Sequence, residues 1–215
     1  MTAKDMFSHR VSILTGHYGT GKTEVSVNLA LALAAEGEQV MLADLDIVNP
    51  YFRSRERRPL LEKAGVRVIS SSQACSDADV PALPAELLTI LENREIRGIL
   101  DIGGDPVGAR VLARFQPKIV QEDYQLIFVL NANRPEVRDA ESAAAYLRSI
   151  EAVTGLTCSG LVNNTHLCGE TTPAEIRKGA ALAQEVSRQT GIPILCHTAE
   201  RRFLESLSDL GEPVF

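Results

Sequence analysis

Residues 16–23, Gly16-His17-Tyr18-Gly19-Thr20-Gly21-Lys22-Thr23, carry the spacing G-x-x-x-x-G-K-[ST] in full. That pattern is built to hold a polyphosphate. Its backbone N–H groups, with the N-terminus of the helix that follows, point at the anion. Lys22 can reach the β- and γ-phosphates, and the Thr23 hydroxyl can join the shell of a Mg²⁺. Glu24, the next residue, completes the candidate nucleotide-contact segment. An apolar run at 11–14 precedes the loop and an amphipathic pattern at 24–35 follows it. Strand, glycine loop and helix thus stand in the order a phosphate-binding loop requires. The chain is expected to bind a nucleoside triphosphate.

Holding a phosphate is not yet hydrolysing it, which needs a metal and a positioned water. Two strand ends supply carboxylates. Asp101 closes an apolar run at 96–102 and is expected to hold Mg²⁺, directly or through water. Gly103 and Gly104 follow at once. A glycine there lets the backbone approach a γ-phosphate and change conformation when it leaves. Asp44 and Asp46 close the strand that starts at Gln39. They are expected to divide the work from opposite sides of the strand end, one supporting the metal shell and one orienting the attacking water. Asp46 is the choice for the water and also a candidate at the metal. Arg53, Arg55, Arg57 and Arg58 form either a solvated helix face or a source of positive charge for phosphate, through Arg53 or Arg55.

The rest of the chain has to bring these strand ends together. Helical patterns alternate with short Val/Ile/Leu runs, which predicts an α/β fold: a doubly wound, mostly parallel sheet of about seven strands with helices on both faces. Helices are expected near 84–93, 107–115, 136–152, 173–189 and 200–210, and residues 70–82 as a long loop. At 215 residues and 45% apolar content, residues 1–215 fit a single nucleotide-binding domain. A net charge of −6 disfavours nucleic acid and acidic lipid as partners. Apolar runs are strand-length, so no membrane association is expected. Residues 1–10 lack the apolar core of a signal peptide. Cys75, Cys158, Cys168 and Cys196 form no C-x-x-C pair, which predicts a reduced, cytoplasmic chain with ordinary buried thiols. A metal site from His166, Cys168, Cys196 and His197 is the alternative.

Taken together, Lys22-Thr23, the segment VSVNLALALAAEGEQVMLADLD, the segment LNANRPEVRDAESA and the strand end GLVNNTHL resemble the deviant-Walker ATPases of the SIMIBI class. These include the ParA/MinD group, the Mrp-type scaffold ATPases, the nitrogenase iron-protein type and the CobQ/CobB-like domains. The resemblance implies a Mg-ATP-dependent switch in which ATP closes a homodimer and slow hydrolysis reopens it. It further implies that Asn163 or Asn164 meets adenine. The lack of N-K-x-D after a late strand favours ATP over GTP independently. Two positions depart from the family: its lysine that reaches across the dimer falls at His17, and the glycine after it at Tyr18. Either an arginine of the 53–58 cluster substitutes, or His17 acts protonated, or the dimer switch is lost. The functional expectation is a slow ATP hydrolase that acts as a switch or assembly factor on an unidentified protein partner. The alternatives are a small-molecule kinase or ligase-like enzyme, and a nucleotide sensor with negligible hydrolysis.

Overall fold

The computed structural model describes residues 2–45, 54–70 and 85–215; for residues 54–56, 70, 85 and 86 it describes the backbone alone. Asp46, Arg53 and Cys75, the side chain of Arg55, and most of the 70–82 loop lie outside the described residues. Seven strands form one sheet: β1 Val11–Thr15, β2 Gln39–Leu45, β3 Arg67–Ser70, β4 Ile96–Ile102, β5 Tyr124–Leu130, β6 Cys158–Asn163 and β7 Ile194–His197. Their order across the sheet is β3-β2-β4-β1-β5-β6-β7. Every pairing between them is parallel. Parallel neighbours cannot be joined by a hairpin, so each connection crosses a face, and both faces are covered.

One face carries α1 (Ala3–Met6), α2 (Lys22–Ala35) and α3 (Ser54–Lys63). The other carries α4 (Ala85–Glu92), α5 (Pro106–Ala109), α6 (Gln116–Ile119), α7 (Ala140–Thr154) and α8 (Pro173–Thr190). The alternation of strand residues assigns each side chain to a face. Leu14, Leu42 and Ile99 pack in the core under α2, whereas Ile13, Ala43 and Leu100 pack in the opposite core. Fully burying a side chain such as Leu14 contributes roughly 1.5–3 kcal/mol. The register of the strands is therefore set firmly, because a one-residue slip would exchange the two cores.

The chain leaves β1 toward β2 on one side and returns to β5 on the other. β1 is thus the point at which the winding reverses, and the crevice at its carboxyl end is where such sheets bind ligands.

Three helical expectations are corrected. The pattern at 136–152 starts later, because Asp139 caps α7 by accepting from the Ser142 N–H at 2.9 Å; a 3₁₀ turn at Pro135–Val137 precedes it. The segment 107–115 breaks into α5 and a 3₁₀ turn at Arg110–Arg114. Residues 200–210 form two 3₁₀ turns, Arg201–Phe203 and Glu205–Leu207. There Arg177 of α8 ties down the Ser206 carbonyl and the Asp209 carboxylate, and Leu207 is drawn into the core. A tertiary anchor has overridden helical spacing.

Candidate functional site

Gly16, Gly19 and Gly21 have φ of +140°, +76° and +83°, a region that side chains rarely adopt. Each also lies against a neighbour where a Cβ would clash: the Val129 carbonyl at Gly16, the Arg134 guanidinium at Gly19, and the Asn164 amide at Gly21. The loop closes on itself through Thr20, whose N–H and hydroxyl both donate to the His17 carbonyl, at 3.2 and 2.9 Å. α2 then begins at Lys22 with Gly21 as its N-cap and no side-chain cap. By contrast α5, α7 and α8 are capped by Asp105, Asp139 and Thr172. The first N–H groups of α2 are therefore left for something other than a capping side chain.

Lys22 is buried, and its ammonium donates to the His17 carbonyl at 3.3 Å. Thr23 and Glu24 line a cleft of about 1470 Å³ together with Tyr18, Gly19, Gly21, Lys22, Arg134 and Asn164. Glu24 is exposed and bonds the Asn28 amide. Tyr18 is 55% exposed beside the loop.

On the β4 side, Asp101 and Asp44 occupy registered positions on adjacent strands. Both follow the alternation of Ile99 and Leu42, so both face the side of the sheet that carries α2. Asp101 is 2% exposed; Asp44 is half-buried. Two oxygen-donor carboxylates thus lie on the face of the sheet that carries α2, whose second residue is Thr23. Residues two apart on an extended chain share a face, so alternation alone gives Asp44 and Asp46 no opposite-side division; Asp46 itself lies outside the described residues.

The 103–105 loop sits directly on the phosphate-binding loop. A Cβ at Gly104 would lie 2.7 Å from the Lys22 ammonium and 2.9 Å from the Tyr18 nitrogen. The Tyr146 hydroxyl donates to the Gly104 carbonyl. The His17 ring meets Tyr146 edge-on, with centroids 5.1 Å apart, and its Nδ1 lies 3.7 Å from the Glu136 carboxylate. Burial, helped by the nearby charges of Asp105 and Glu136, pushes the Tyr146 phenol up to about 12, so it remains a donor at neutral pH. The sequence drew no attention to Tyr146, because only the fold brings α7 under this loop.

On the β5 side the two asparagines separate. Asn163 continues β6 on the α8 face, fully buried; its Nδ2 donates to the Ile176 carbonyl, and its Oδ1 accepts from the Thr165 N–H. Asn164 falls on the other face, where its Nδ2 donates to the Thr20 carbonyl at 2.7 Å and its Oδ1 accepts from Thr198. Asn164 lines the cleft and Asn163 does not, so Asn163 is corrected from a candidate nucleotide contact to a buried brace. A residue the sequence passed over, Arg134, also lines this side, and its Nε donates to the Gly19 carbonyl at 2.8 Å.

The arginine cluster divides as well: Arg57 lines the cleft, while Arg58 pairs with Glu62 at 3.6 Å. Cys196 is buried, which pushes its thiol up to about 12, and His197 is taken by Asn163 and Glu212. Cys168 and His166 stay together, 3.8 Å apart, but among the described residues no group of three or more His, Cys, Asp or Glu side chains could hold a metal ion. Among the described residues, too, no helix is long and apolar enough to cross a membrane.

This architecture is the α/β fold of the P-loop NTPases, and solved structures agree. The signal recognition particle receptor FtsY from Elizabethkingia anophelis superposes with a TM-score of 0.55 at 20% identity, covering 86% of this chain and 56% of that one. A nucleotide-binding protein from Archaeoglobus fulgidus, in complex with ADP, superposes with a TM-score of 0.51 at 20% identity over 97% of this chain and 88% of that one. Residues 6–55 match the ParA family model described as the NUBPL iron-transfer P-loop NTPase. The cytosolic Fe–S cluster assembly factor cfd1 of Emericella nidulans is 36% identical over 95 residues, which is 44% of this chain and 26% of that protein. The likeness to that relative thus spans about a quarter of its length.

Proposed function

We propose that this chain is a Mg-ATP-dependent ATPase of the SIMIBI type, working as a nucleotide-driven switch or assembly factor on a protein partner. The observation that carries the reading is the uncapped start of α2 beneath the closed glycine loop, opening on the cleft lined by Lys22 and Thr23. The preference for adenine draws on Asn164 at the cleft wall and on the ADP held by the similar A. fulgidus protein.

Mg²⁺ fits the residues present. Thr23 and the paired Asp101 and Asp44 offer oxygen donors on one face, as a hard cation prefers, with phosphate and water completing the shell. Bound there, Mg²⁺ would supply positive charge that offsets the charge of a polyphosphate. Lys22 leaves the His17 carbonyl to meet the oxygens of the same polyphosphate. The backbone of Gly104 approaches the γ-phosphate. Asp46 orients the water whose oxygen bonds to the γ-phosphorus as the bond to the β-phosphate oxygen breaks, ADP departs, and the water's protons leave on the released phosphate.

On the resemblance, the family's lysine falls at His17, and the His17 ring meets Tyr146 edge-on. An intersubunit role for residue 17 is therefore not part of this reading, although ATP-driven pairing of two copies is. The matched family model and the cfd1-like segment point to a partner concerned with Fe–S cluster assembly in the cytoplasm.

The test is the mass in solution of the wild-type chain in Mg-ATP and in Mg-ADP, with Lys22→Ala as the non-binding control. A dimer with ATP and a monomer with ADP is expected, and Lys22→Ala should weaken binding by at least about 100-fold. Equal mass in both nucleotides, with binding confirmed, contradicts the switch. Submicromolar affinity retained by Lys22→Ala contradicts the site.

A further inference from the structure

Two consecutive carbonyls of the glycine loop are tied down from the β5–β6 side. Thr20 is held by the neutral amide of Asn164, and Gly19 by the guanidinium of Arg134. A neutral donor suffices for the first, so bracing alone does not call for a charge at the second. The guanidinium lies flat against Gly19: its Cζ and Nε would be 2.9 Å, and its Nη2 3.2 Å, from a Cβ placed there. Glycine at position 19 is thus what admits the arginine. The Nε bond uses one of five N–H donors, and the group borders the same cleft as Lys22.

Arg134 is also held in place from behind. It lies before Pro135 with extended backbone (φ −99°, ψ 123°), which aims it out of the turn after β5. That turn is braced by Asn131, whose Oδ1 accepts from the Asn133 N–H at 3.0 Å. The Thr165 hydroxyl braces it again by accepting from the Ala132 N–H at 3.0 Å. The Arg134 N–H itself donates to the Asn131 carbonyl at 3.0 Å. The turn is fixed by these backbone contacts and the guanidinium by its bond to Gly19, which preorganises a cation beside an anion-binding loop for a planar, two-pronged contact to phosphate.

We propose that Arg134 is a second phosphate-binding cation of the nucleotide site, supplied by the same chain and meeting the di- or triphosphate alongside Lys22. This rests on the nucleotide-binding reading above.

The experiment is calorimetric titration of ADP and ATP, with Mg²⁺, into wild-type and Arg134→Gln chains at several salt concentrations, with the melting midpoint of each nucleotide-free chain measured alongside. Arg134→Gln is expected to weaken both nucleotides by about 10- to 100-fold. It should also flatten the salt dependence of binding and leave the nucleotide-free midpoint in place. Wild-type affinity in Arg134→Gln overturns the inference and leaves the nucleotide site standing. So does a loss of affinity that tracks a fall in the midpoint with the salt dependence unchanged, since that is the mark of a brace. A wild-type chain that binds neither ADP nor ATP overturns the underlying reading together with the inference.

Discussion

The glycine loop has two flanks, and they are built from different chemistry. On the side of β4 and β2 stand carboxylates and glycines: Asp101, Asp44 and the 103–105 loop. On the side of β5 and β6 stand an amide and a guanidinium, Asn164 and Arg134, each bonded to the loop's own backbone. Carboxylates on one face suit a metal and a reaction that must start and stop. Amide and guanidinium donors held against the loop suit recognition of a ligand that has to be seated before anything else happens. On the proposed reading, one sheet edge would divide chemistry from binding across a single strand, β1.

The sharpest way to break the contrast on the recognition side is Gly21→Ala. At φ +83° an alanine carries about 1–2 kcal/mol of left-handed strain, and its Cβ would meet the Asn164 amide. Nucleotide affinity should fall by more than about tenfold, with a lowered melting midpoint. Titration and a melt of the same sample check this, and a normal midpoint with normal affinity would mean that the loop does not need Asn164 where it lies.

A smaller effect belongs to the other flank. The Tyr146 phenol titrates near 12 instead of the ordinary 10.0. The folded chain therefore keeps that proton where the unfolded chain has lost it, so stability is fully present and independent of this group's titration below about pH 10 and falls as pH rises from about 10 to about 12. Tyr146→Phe should remove this alkaline component when unfolding curves of the two chains are subtracted. An identical alkaline slope in both would detach Tyr146 from the Gly104 loop.

The two flanks also differed in how far the sequence disclosed them. Spacing within two short segments exposed these candidates: strand, glycine loop and helix are contiguous at Lys22 and Thr23, and strand, carboxylate and glycines are contiguous at Asp101 and Gly104. The sheet and its seven strands were legible for the same reason: near-continuous apolar runs have few alternatives to a buried parallel strand. The difference between Asn163 and Asn164 was present in the alternation of β6, since counting on from Val162 puts Asn163 under α8 and Asn164 toward the loop. Arg134 carried only a faint signal, an arginine held extended by the following Pro135. Tyr146 carried none, because its partner Gly104 is 42 residues away. The failed helix at 200–210 has the same origin, an anchor from Arg177 that no local pattern contains.

The division between the flanks is tested most directly by following Mg-ATP binding and phosphate release together in Asp101→Asn and Asn164→Ala. Asp101→Asn is expected to bind the adenine nucleotide still, while its turnover at saturation falls by about 100-fold or more. Asn164→Ala should instead bind about tenfold more weakly, the cost of roughly one hydrogen bond, and turn over at the normal rate once saturated. If both substitutions lower the same quantity by the same factor, the two sides of the loop are not doing different work.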